Sequence, residues 1–79
     1  MNSSDKKITQ LLKLGSRGIQ VIWLQDILKQ LNYFPKNISS TGYFGATTRQ
    51  AVIKLQKAYK LSPYPGWVGP GTRSVLNGM

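Results

Sequence analysis

The sequence predicts an all-α protein: a compact three-helix bundle with a short N-terminal segment and two glycine-rich loops. Three observations carry this expectation. Two long stretches repeat apolar residues at helical spacing, a shorter third stretch is opened by a proline, and clusters of Gly, Pro, Ser and Asn separate them. A chain of 79 residues has room for one domain around one core.

Residues 1–7 are polar and are expected to form a flexible tail, leaving 8–79 as the domain. An apolar segment, Ile8-Leu11-Leu12-Leu14, follows and ends at Gly15. From Gly18 to Asn32, residues Val21, Leu24, Ile27, Leu28 and Leu31 fall on one helical stripe. Ser16 is the expected N-cap, and Asn32-Tyr33-Phe34-Pro35 the stop. Ile19, Ile22 and Trp23 lie outside the stripe and make an apolar patch on a face that should be wet. Either Ile8 to Leu12 folds back over that patch, or the patch docks a partner.

A loop from Lys36 to Gly45 leads into a second helix, about Ala46 to Lys60. Its inward stripe is Thr48, Ala51, Val52, Leu55 and Tyr59, with Arg49, Lys57 and Lys60 opposite. Ser62-Pro63-Tyr64-Pro65-Gly66 then breaks the chain. Gly69-Pro70 opens a third helix, with Pro at the first position where its missing N–H costs nothing. That helix closes before Gly78, and Val75 and Leu76 should face inward.

The charge inventory narrows function. Eleven Lys and Arg stand against only Asp5 and Asp26, a formal net charge of +9 that favours anionic partners such as nucleic acid, anionic lipid or the acidic groups of a bacterial wall. Without His or Cys there is no Ser-His or Cys-His pair, no zinc site and no disulfide. Glycoside hydrolysis typically needs two facing carboxyl groups, whereas the two Asp fall in the tail and on a helix surface. No catalytic residue, metal or cofactor is therefore expected. Nothing reads as a membrane span, and Met1 to Lys7 lack the apolar middle of a secretion signal. The expected origin is a cytoplasmically made protein, a phage product released by lysis, or a piece of a longer exported protein.

The chain also repeats itself. Gly42-Tyr43-Phe44-Gly45-Ala46-Thr47-Thr48-Arg49 aligns without a gap on Gly66-Trp67-Val68-Gly69-Pro70-Gly71-Thr72-Arg73, and Val21-Ile22-Trp23-Leu24-Gln25 on Val52-Ile53-Lys54-Leu55-Gln56. Glycines let each loop turn tightly into its helix, and the residue before the second glycine, Phe44 or Val68, should plug the core. Gln25 and Gln56 lie at the stripe edges, where their amides can satisfy loop backbone. Thr48 and Thr72 are read as bonding local backbone near their helix starts.

In order and spacing these residues, from Leu14-Gly15-x-x-Gly18 to Thr72-x-x-x-Leu76, resemble the peptidoglycan-binding domain family found beside amidases, endolysins, transglycosylases and carboxypeptidases. The match runs over about residues 8 to 77, with Thr41 where the family usually has Asp before the loop glycine. The resemblance implies a non-catalytic three-helix module that binds wall peptidoglycan, through glycan or stem peptide, and anchors or targets a cell-wall hydrolase. It implies a location at the bacterial cell wall, extracellular or periplasmic. A monomer is expected, with no membrane partner and with nucleic acid disfavoured.

If Phe44 and Val68 point inward, Tyr43 and Trp67 face outward at equivalent loop tips, either as ligand contacts that stack on sugar or as lids over helix ends. Arg49 and Arg73, one turn inside the same helix starts, are candidates to grip a stem-peptide carboxylate, or else are solvated charge. Tyr33 and Tyr64 flank the loops and complete the candidate set. Two other functions compete. A basic helix-turn-helix nucleic-acid binder is disfavoured by the long Pro-containing connection and by scattered charge. A protein-interaction module would use Trp23 as its anchor.

Overall fold

The structure, a computed structural model, describes residues 7–63 and 65–78. The expected tail therefore lies almost wholly outside the described residues, as does Tyr64. Three helices form, α1 (Ile19–Gln30), α2 (Ala46–Ala58) and α3 (Pro70–Asn77). Among the described residues none is long and apolar enough to cross a membrane.

Both long helices stop short of the periodic signal, and the cause is local. Asn32 takes a left-handed φ of 66°, after which the Tyr33 N–H reaches back to the Leu28 carbonyl at 2.9 Å. Lys60 does the same at φ 55°, and the Leu61 N–H donates to the Gln56 carbonyl at 2.8 Å. Each is a left-handed stop that satisfies an otherwise orphaned carbonyl. Tyr59 is consequently the C-cap of α2, beyond the regular turns, and stands 46% exposed rather than in the inward stripe. The N-cap expectation also changes. Gly18, with φ 127°, precedes α1 and carries no side-chain cap. Ser16 instead closes the turn before it: its hydroxyl accepts the Lys13 N–H at 3.0 Å while its own N–H donates to the Lys13 carbonyl.

Val21, Leu24 and Leu28 of α1, Ala51, Val52 and Leu55 of α2, and Leu76 of α3 meet in one core, while Val75, expected to face inward, is half-buried. The loops add Phe34, Phe44 and Val68, and the N-terminal segment adds Ile8 and Leu12. That segment is a strap. Asn77 of α3 clamps Ile8 through both amide atoms, accepting from the Ile8 N–H and donating to its carbonyl at 2.9 Å each. Leu12 and Val68 then exchange backbone hydrogen bonds as an isolated antiparallel bridge. Further on, the Gly15 N–H donates to the Phe44 carbonyl and the Phe44 N–H to the Ser16 carbonyl, both at 2.9 Å.

The strap runs inward between the loops and does not cover Ile19, which is 60% exposed. The fold-back reading fails at that residue because Ile8 and Leu12 are consumed by the core. Along this stretch α1 meets the strap through polar groups: Gln20 accepts the Thr9 and Gln10 N–H groups and donates to the Thr9 hydroxyl. Ile22 and Trp23 are half-buried.

Candidate functional site

The site grows from the two repeated loops. Phe44 and Val68 are both 0% exposed, and the residues before them, Tyr43 and Trp67, are 43% and 46% exposed. Backbone geometry forces the alternation, because neighbouring side chains of an extended segment point to opposite sides. Gly42 and Gly66 begin the loops at φ 82° and 80°, in the left-handed region where a side chain is strained.

A buried glutamine pins each loop. Gln25 accepts the Gly42 N–H and donates to the Tyr43 carbonyl and the Thr48 hydroxyl, all at 3.0 Å. Gln56 accepts the Gly66 N–H and donates to the Trp67 carbonyl and the Thr72 hydroxyl, between 2.9 and 3.1 Å. The threonines thus accept a side-chain amide, where local backbone bonding was expected. Thr41 braces the first loop by accepting the Tyr43 N–H at 3.2 Å.

The repeat is symmetric inside and asymmetric outside. The Arg17 guanidinium lies over the Tyr43 ring, 4.6 Å from its centroid, so one face of that ring already holds a cation. Trp67 instead divides two grooves. One, of about 350 Å³, is walled by Leu61, Pro63, Pro65 and Pro70 and floored by Gln56 and Thr72. The other, of about 340 Å³, is lined by Lys13, Leu14, Arg49, Pro65 and Gly66.

The two arginines also part ways. Arg73 donates to the Val68 carbonyl at 3.2 Å and so braces its own loop. Arg49 lays its stem across Gly66, close enough that a Cβ there would sit 2.7 Å from Arg49 Cγ. Tyr33 packs half-buried against the core, in neither groove. Of the six candidates, then, Trp67 and Arg49 line one groove together, Tyr43, Arg73 and Tyr33 line neither of these two grooves, and Tyr64 lies outside the described residues. Lys13, Leu14, Pro63 and Pro65 were missed by sequence reasoning. The prolines carried a signal, since they bracket the second aromatic loop. Lys13 carried none, because its place depends on where the strap runs.

Among the described residues no cluster of His, Cys, Asp or Glu could hold a metal ion. The fold is a small helical module with two pinned loops, each presenting an exposed aromatic, and two grooves adjoin the second of them. Residues 17–76, most of the chain, match the model of the family described as "Putative peptidoglycan binding domain", and the protein belongs to that family. No curated protein and no solved structure gave a significant match.

Proposed function

We propose that this protein is a non-catalytic module that holds bacterial peptidoglycan at the Trp67 loop and thereby anchors or targets a wall-degrading activity. Family membership supports the ligand. The observation that carries the site is Trp67, half-exposed on a loop whose backbone is pinned by Gln56, with a groove on either side. An indole offers a flat electron-rich face to the C–H groups of a sugar ring and an N–H to its hydroxyls. Because the loop is fixed beforehand, binding need not order it, and that entropic cost is avoided. The missing His and Cys favour binding without catalysis.

Co-sedimentation with purified insoluble peptidoglycan at about 0.3 M salt tests this reading, because simple charge attraction is strongly screened there. Retention of the protein, lost in Trp67→Ala, is the expected result. Loss of all retention, together with tight DNA binding at low salt, would transfer the function to nucleic acid. The anchoring role is tested by fusing the module to a wall hydrolase and comparing lysis of intact walls with and without Trp67→Ala.

A further inference from the structure

We infer, on the reading that the Trp67 loop faces peptidoglycan, that the groove between Lys13 and Arg49 takes a carboxylate of the wall's stem peptide. The groove volume, about 340 Å³, lies near the lower end of small-ligand sites, which run from about 300 to 1,000 Å³. Two cations and one indole line it, with no carboxylate. Asp26 is the one side-chain carboxylate among the described residues, and it accepts the Ser40 hydroxyl. The lining of the groove thus offers no anionic side chain to the two cations.

The Lys13 backbone and the Arg49 stem are each held in place. The Lys13 backbone is fixed by the Ser16 hydroxyl on one side and by the Leu12–Val68 bridge on the other, which sets it beside Trp67. Arg49 is laid against Gly66, which can accommodate the arginine stem only because it lacks a Cβ. One of the two internal alignments carries no arginine at the place matching Arg49. In the alignment of α1 on α2, Arg49 falls opposite Gly18, the residue that precedes α1, and Gly42 packs there against Ile22 and the Gly18 carbonyl instead.

Arg73, by contrast, gives one guanidinium N–H to the Val68 carbonyl, a bond that Arg49 does not make among the described residues. A fork of N–H groups beside a mobile ammonium suits a carboxylate, and the indole next to them suits the peptide or sugar that carries it. Lys13 and Leu14 lie just upstream of residues 17–76, the stretch that matches the family model.

The test uses three soluble probes titrated against the whole chain by amide NMR at about 0.15 M salt. They are a disaccharide muropeptide with free carboxylates, the same muropeptide with its carboxylates amidated, and the glycan without peptide. The free-carboxylate form is expected to bind about tenfold more tightly than the amidated one, moving the amides of Lys13, Arg49 and Gly66 and the Trp67 indole. Lys13→Gln, on an exposed residue, and Arg49→Met, which keeps a stem over Gly66, should each shrink that ratio without lowering the thermal midpoint.

Equal affinity for the free and amidated forms, or a ratio indifferent to both variants, overturns the inference. If the protein still sediments with whole peptidoglycan in that case, wall binding stands and only the carboxylate site is lost. Failure of sedimentation and of all three probes removes both.

Discussion

Gln25 and Gln56 occupy matching places on α1 and α2, and each spends its whole amide on the loop opposite. The carbonyl takes the N–H of the leading glycine, and the NH₂ reaches the aromatic's carbonyl and a threonine hydroxyl. Both glutamines are 1% exposed. A buried amide is tolerated only when its hydrogen-bonding capacity is used, and no buried side-chain polar atom among the described residues lacks a partner. The pair converts two flexible glycine loops into fixed platforms.

Truncation should therefore cost more than one hydrogen bond. Gln25→Ala strands the buried Gly42 N–H and Thr48 hydroxyl together with the part-buried Tyr43 carbonyl, and each fully buried stranded group costs about 1–3 kcal/mol. Urea unfolding should show a loss of about 3 kcal/mol or more, with Gln56→Ala close behind. A loss under about 1 kcal/mol would mean that water replaces the amide freely.

Gly66→Ala should strain the backbone and displace Arg49. The residue sits at φ 80°, and the added Cβ would lie 2.7 Å from Arg49 Cγ and 3.1 Å from Ile53 Cγ1. Left-handed strain alone is worth about 1–2 kcal/mol. Adding Arg49→Ala to Gly66→Ala should recover part of the stability, because the clash is relieved, and should recover none of the wall retention. Equal stability of the single and double variants would show that the arginine stem does not press on Gly66.

The two loop aromatics should differ as ligand contacts although they match in the repeat. Trp67→Ala is expected to weaken sedimentation with peptidoglycan by about tenfold or more, as for a stacking anchor. Tyr43→Ala should change it by less than about threefold, because Arg17 already covers one face of that ring. A reversed order would move the site to the first loop.

The strap should behave as part of the fold. Asn77→Ala removes both hydrogen bonds to Ile8 and should cost about 1–3 kcal/mol. Amide exchange at Leu12 and Val68 should then quicken, since their bridge depends on the same strap. Unchanged exchange at Val68 would show that the Leu12 contact holds without the clamp.

Screening should stabilise the domain. With a formal charge of +9, repulsion among cations opposes the folded state, and raising salt from about 10 to 200 mM should raise the thermal midpoint. A midpoint that falls over this range would point to ion pairing stronger than the repulsion.

Much of the molecule was legible beforehand because its signals are local. Helical spacing identified the helices and the buried faces of Val21, Leu24, Val52 and Leu55, and the duplicated loops separated the plugs Phe44 and Val68 from outward Tyr43 and Trp67. The same signals misplaced Tyr59 and Ser16, where a left-handed stop and a turn upstream of the glycine altered the local frame.

Periodicity and repetition, which need only neighbours along the chain, were enough to set the three helices, the paired glycine loops and which residue of each loop turns inward. Only the folded chain decided that the strap carries Lys13 to Trp67, that Arg17 covers Tyr43, and that Arg73 is spent on Val68 while Arg49 lies along Gly66. Those choices depend on which distant surfaces meet when Ile8 and Leu12 enter the core. No spacing within a single element records such a meeting.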